Sequence, residues 1–206
     1  MEHKRLVSQT SVPHPTSNDE EAVLLHRIAH RDPFAFEALY RNYYRRLTRF
    51  LERLLRAPHL IDEVLDDTML VVWRKACTFN DESRVSTWIF AIAYKKTMKA
   101  LKREGRVKET LPDADEPISD RSPETDVIEK EAHLRLTRLL AELSVEQRAV
   151  VELTYFYGYS YREIATIVGC PVNTVKTRMF HAHRKLKSIL GARGEESGRD
   201  AALPVR

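Results

Sequence analysis

Two groups of side chains in this sequence have the types needed for chemistry. Asp62, Glu63, Asp66 and Asp67 fall within LIDEVLDDTMLVVWRKA at a spacing that a helix gathers toward one side. Clustered carboxylates can hold a divalent cation or share acid–base work, which would make the chain a helical hydrolase. No His or nucleophile accompanies them, so catalysis is a poor fit. His181 and His183, with Cys170 nearby, form the second group and could suggest a metal site. Residues two apart on a helix do not face each other, so no metal is expected there. The sequence therefore predicts no enzyme, no catalytic residue, no metal and no cofactor.

The same carboxylates make better sense as a contact surface. On one side of their helix Ile61, Val64, Leu65, Thr68, Val71, Val72 and Ala76 form a core-facing stripe. The other side carries Asp62, Asp66, Met69, Leu70 and Trp73, with Glu63 and Asp67 on its flank. Large apolar residues rimmed by one sign of charge mark a protein interface, and a basic helical partner is the natural complement. The next segment, from Tyr94 to Lys108, sets seven cations against Glu104, a net charge of +6. Phe79, Trp88, Phe90 and Tyr94 lie near it. Cations that track phosphates beside aromatic rings are the ingredients of single-strand binding, although Trp88 reads as core.

A third surface lies in YSYREIATIVGCPVNTVKTRMFHAHRKLK. Ala165, Gly169 and Val175 fall at relative positions five, nine and fifteen of a helix-turn-helix: a small residue for close approach, a turn glycine, and an apolar anchor. At helical period the second helix gathers Val172, Val175, Met179, Ala182, Leu186, Ile189 and Leu190 on one face. Asn173, Thr174, Thr177, Arg178, His181, Arg184 and Lys185 occupy the other, with no acid among them. Donors for base edges and cations for phosphates are what a major-groove helix needs.

These surfaces must be held by helices, and helical start signals recur. Ser17 precedes an acid-rich turn, Asp32-Pro33 caps FAFEALYRNYYRRLTRFLERLLR, and Pro58 stops it. Further helices are predicted over about 60–76 and 86–103, and capping boxes at Ser144/Gln147 and Ser160/Glu163 open two more. Between the halves, Glu109 to Glu131 sets nine acids against two bases, with few large apolar residues. That composition cannot build a core. The fold class predicted is all-α: two small helical domains joined by an acidic flexible linker, the second containing the helix-turn-helix. Residues 1–18 and 191–206 read as disordered tails. No apolar run reaches membrane-spanning length, the first residues lack the apolar block of a signal peptide, and Cys77 and Cys170 are too isolated for a disulfide framework. A cytoplasmic protein with no membrane insertion is expected.

With four motifs in order, the sequence resembles the sigma-70 family of bacterial RNA polymerase sigma factors, of the small extracytoplasmic-function (ECF) type. DPFAFEALYRNYY resembles the first helix of region two, and LIDEVLDDTMLVVWRKA its polymerase-docking helix. STWIFAIAYKKTMKALKR is similar to the segment that recognises and opens the minus-10 element. LAELSVEQRAVVELTYFYGYSYREIATIVGCPVNTVKTRMFHAHRKLK resembles region four, which reads the minus-35 element. The likeness implies region two over 19–108, the linker over 109–132 and region four over 133–190.

It also implies roles. Asp62, Glu63, Asp66, Asp67, Met69, Leu70 and Trp73 would bind the clamp helices of the polymerase's largest subunit. Phe79, Asn80, Ser83, Arg84, Lys95, Lys96, Lys99, Lys102 and Arg103 would engage minus-10 DNA. Asn173, Thr174, Lys176, Thr177, Arg178, His181, Arg184 and Lys185 would engage minus-35 DNA. Partners implied are core RNA polymerase, through clamp helices and flap, promoter DNA, and an anti-sigma factor, with the free chain monomeric. The chain departs from the family pattern at IAYK, where many relatives have IARN, and at VNTVKTR, where GTVKSR is common. The rival reading is a free-standing dimeric helix-turn-helix regulator, which would bind duplex DNA tightly without polymerase.

Overall fold

The computed structural model describes residues 17–55, 57–105 and 136–199, the last eight of these as backbone alone. The acidic stretch 109–132, residues 1–16 and residues 200–206 lie outside the described residues. Among the described residues there is no strand, and no helix is long and apolar enough to cross a membrane.

The first four helices form one bundle. α1 (Asn18–Ala29) starts at Ser17, whose hydroxyl accepts from Glu20 N while the Glu20 side chain accepts from Ser17 N. α2 (Pro33–Leu55) starts at Asp32, whose Oδ1 accepts from Phe34 N at 2.9 Å and Ala35 N at 3.2 Å. Leu39, Tyr43, Leu47, Phe50, Leu51 and Leu54 recur at helical spacing along α2 and are buried. α3 (Pro58–Lys75) has its proline at the first turn, so Pro58 begins this helix as well as ending the chain's run in α2. α4 (Val85–Arg103) lacks a cap of its own; Val85 N donates instead to Asn18 Oδ1 at 3.1 Å, tying it to the start of α1.

The second set begins with α5, described over 136–141, and continues with α6 (Val145–Tyr155), α7 (Tyr161–Val168) and α8 (Val172–Arg199). Both expected capping boxes are present, at Ser144/Gln147 and Ser160/Glu163. Gly169 ends α7 in the left-handed region, at φ 68° and ψ 41°, where a Cβ would be strained. Val175, Met179 and Ala182 are buried against Ile164 and Ile167, so the helix-turn-helix is formed as its spacing predicts. Leu190, assigned to the inner face, is exposed.

One expectation is corrected and another extended. α8 continues to Arg199, so 191–199 is not a tail: once a helix is nucleated, isolated glycines such as Gly191, Gly194 and Gly198 cost only about 1 kcal/mol each and need not stop it. The two helical sets are also not merely tethered. α7 lies along α4 and α6 touches α2, so one apolar core runs from Leu25 to Ala182.

Candidate functional site

The acidic helix α3 and the cationic helix α4 pack side by side, which brings two of the expected surfaces together. Asp62, Glu63, Asp66 and Leu70 are exposed and Asp67 is half-exposed. Pro33, Phe36 and Tyr40 of α2 join Asp66, Asp67, Met69, Leu70 and Trp73 around a groove of about 520 Å³. Trp73 stands edge-on to Phe36 at 5.2 Å, with the Arg31 guanidinium 5.6 Å above its ring. Tyr40 bridges from Phe36 to Tyr44, whose rings lie 6.2 and 5.9 Å away. Burial first, then the Asp66 charge, pushes the Tyr40 phenol above its usual value.

Met69 departs from the expectation of an exposed contact. At 2% exposure it belongs to the core and forms the groove's floor. Helical period alone could not separate it from Leu70, its neighbour in sequence, which is 42% exposed. Phe36 and Tyr40 were missed as groove residues because they sit on a different helix, within a stripe that reads as core.

The expected minus-10 residues divide into free and paired groups. Lys95, Lys99 and Lys102 are exposed on α4. Lys96 is paired with Asp67 at 2.8 Å, and Arg103 holds Glu63 through two bonds of 2.7 and 2.9 Å. The hydrogen bonds from Arg103, more than its charge, hold the Glu63 carboxyl below its usual range. The acids of one surface thus neutralise cations of the other. In the loop before α4, Asn80 is exposed, Ser83 is half-exposed and Arg84 reaches Glu163 of α7 at 3.6 Å. Asp81 adopts φ 57° and pairs with His26 at 3.1 Å. Phe79 is not available to stack on a base: it is 9% exposed and packed edge-on against Trp88 at 5.7 Å. Its apolar ring fills the space under the loop.

On α8, Asn173, Lys176, Thr177, Arg184 and Lys185 are exposed, and Thr174 and His181 are half-buried. The Thr177 hydroxyl donates to Asn173 O at 2.9 Å, and Lys185 donates to the Glu142 carbonyl. Phe180 was missed: its ring is 62% exposed between these donors, with the Arg184 guanidinium 5.9 Å away. A large apolar residue on an outward face has the chemistry to meet thymine methyls, a signal hidden by assigning apolar residues inward. Arg178 is half-buried and turned toward α4. Its Nη1 lies 3.7 Å from Cys170 Sγ, and its charge partly offsets the burial that pushes the Tyr94 phenol up to about 12.

Among the described residues, no three His, Cys, Asp or Glu side chains are grouped to hold a metal.

Comparison with known proteins agrees with this geometry. Residues 39–107 match the sigma-70 region 2 family model and residues 133–186 the sigma-70 region 4 model. The chain is 32% identical over 161 residues to the ECF RNA polymerase sigma factor SigM of Mycobacterium tuberculosis, covering 78% of this chain and 79% of SigM. It is 33% identical over 164 residues to the ECF sigma factor RpoE of Cereibacter sphaeroides, covering 77% and 87%. Among solved structures it shares its fold with CnrH, solved with the cytosolic domain of CnrY (TM-score 0.63, 22% identity, 84% of this chain and 99% of that one). It likewise shares its fold with the sigma factor RpoE of Bartonella quintana, solved with the anti-sigma factor NepR (TM-score 0.62, 22% identity, 76% and 96%). With both regions matched in order and curated relatives above 30% identity along most of their length, the chain belongs to the sigma-70 family, among the ECF RNA polymerase sigma factors.

Proposed function

We propose that this sigma factor binds core RNA polymerase through the groove between α2 and α3, engages minus-10 DNA with the 79–84 loop and α4, and reads minus-35 DNA with α8. On this reading residues 19–108 act as region two and 133–190 as region four, and 109–132 connect them. The observation that carries the polymerase assignment is the groove itself. Trp73, Leu70, Phe36 and Tyr40 wall it above Met69, Asp66 and Asp67 stand at its edge, and Asp62 and Glu63 are exposed on the same helix. A basic amphipathic helix such as a clamp helix complements both features. Lys95, Lys99 and Lys102, without acidic partners among the described residues, supply phosphate contacts on the neighbouring helix.

The chain then contributes recognition rather than bond-making. The reaction belongs to the polymerase, so the protein is not itself an enzyme and acts where polymerase acts, in the cytoplasm. An anti-sigma factor would compete for these surfaces, as two of the fold's neighbours were solved bound to such proteins or to a cytosolic domain. The test is gel filtration of the purified chain with bacterial core polymerase, beside an Asp66→Arg/Trp73→Ala variant. Co-elution of the native chain but not the variant is expected. Co-elution of both would move the interface elsewhere. If neither co-elutes while the chain alone shifts duplex DNA, the polymerase reading fails.

A further inference from the structure

The 79–84 loop is short and polar, and its backbone is bent in a specific way. It begins at Phe79, whose N donates to Ala76 O at 3.1 Å at the end of a single 3-10 turn. Asn80 Oδ1 then accepts from Glu82 N at 3.4 Å, which bends the chain around Asp81. Asp81 takes φ 57°, in the left-handed region. Aspartate enters that region more readily than most residues, but still at a cost. A strained residue persists where its surroundings over-determine it, and such residues gather at functional sites.

The surroundings here are α1. His26 Nε2 lies 3.1 Å from Asp81 Oδ2, and the two side chains are 59% and 52% exposed, so pairing rather than burial fixes the carboxylate. Two turns earlier on α1, Asn18 Oδ1 accepts from Val85 N at 3.1 Å, where α4 starts without a side-chain cap of its own. One helix therefore grips both the middle and the end of the loop, although none of the proposed DNA contacts lies on it.

The grip decides which groups the loop offers. A carboxylate repels phosphate and accepts from the N4 amino group of cytosine, whereas amides and hydroxyls also donate. With Asp81 engaged by His26, the loop is left with Asn80, whose carbonyl oxygen serves the turn and whose amino group can donate, and with the Ser83 hydroxyl. Resting on the proposed minus-10 role of this loop, we propose that His26 is a positioning residue for base preference: it holds the Asp81 carboxylate toward α1, so that Asn80 and Ser83 meet the unpaired strand. Glu82 is exposed as well, but it is common to every variant below and does not enter the comparison.

The test uses the full chain joined to core polymerase, with core polymerase alone as reference. A random pool of 12-nucleotide single strands is offered, and the bound strands are sequenced. His26→Ala is expected to enrich cytosine about threefold at one position, the size of one exposed hydrogen bond gained, with co-elution and helical circular dichroism unchanged. His26→Gln, whose side-chain nitrogen can donate to the same carboxylate, is expected to restore the native preference. Asp81→Gly accepts the left-handed backbone and removes the carboxylate, so adding His26→Ala to it is expected to change nothing further. An unchanged preference in His26→Ala, a loss of affinity equal for all bases, or the same shift in the absence of Asp81 would overturn the positioning role and leave the minus-10 reading standing. If the native chain adds no preference to that of core polymerase alone, the loop does not read this strand, and both fall together.

Discussion

At the scale of single residues, adjacent positions in one helix have opposite jobs. Met69 lies at 2% exposure under the groove and Leu70 at 42% on its rim. Met69→Ala is therefore expected to cost about 2–5 kcal/mol in urea unfolding. Leu70→Ala is expected to stay within about 0.5 kcal/mol and to weaken polymerase co-elution instead. Equal losses of stability would show that Leu70 is packed as deeply as Met69. The acids of this surface were legible because a helix face mixing carboxylates with Trp and Leu is rarely left to solvent. Which apolar residue stood outermost was not legible, because it depends on how far α2 overhangs α3. Phe79 and Phe180 show the same limit in opposite directions: one aromatic is tucked away and the other projects.

Among the helices, start signals were more legible than ends. Ser17, Ser144 and Ser160 each cap where their spacing to Glu or Gln indicates, since both partners lie within three residues. Ends depend on whether a glycine takes the left-handed conformation, which sequence alone does not reveal. Gly169 takes it at φ 68°, and Gly191 remains helical with open space where a Cβ would point. Opposite outcomes follow for one substitution. Gly169→Ala is expected to destabilise by about 1–2 kcal/mol, because alanine pays the left-handed strain. Gly191→Ala is expected to stabilise α8 by about 0.5–1 kcal/mol. Thermal unfolding followed at 222 nm reads both, and a stabilising Gly169→Ala would contradict the observed turn.

For the whole molecule, the contact between the two helical sets was not legible. Glu152 sits in VELTYFY, where an acid between apolar residues reads as the wet side of an amphipathic helix. Only the approach of α2 makes that side dry. Burial raises the Glu152 carboxyl above its usual 4.5, against the opposing hydrogen bond and charge of Arg53 and the charge of Arg148. An acid whose value is raised by this packing favours the packed form most when protonated. That contribution is complete below the usual value and is lost as pH rises through the raised one. Acidification through that raised value is thus expected to compact the chain in scattering, while Glu152→Gln flattens the response. The exposed Arg84–Glu163 pair opposes this only weakly. A chain that expands on acidification would reverse the sign. None of the described residues covers the groove lined by Phe36, Leu70 and Trp73, while Arg84, Tyr94 and Arg178 are engaged between the helical sets. Its uncovered state fixes a kinetic order. Encounter with polymerase needs no prior domain motion, so in stopped-flow mixing its observed rate should climb linearly with polymerase concentration. A plateau in the polymerase reaction would put opening ahead of docking, and the sequence of events would run the other way.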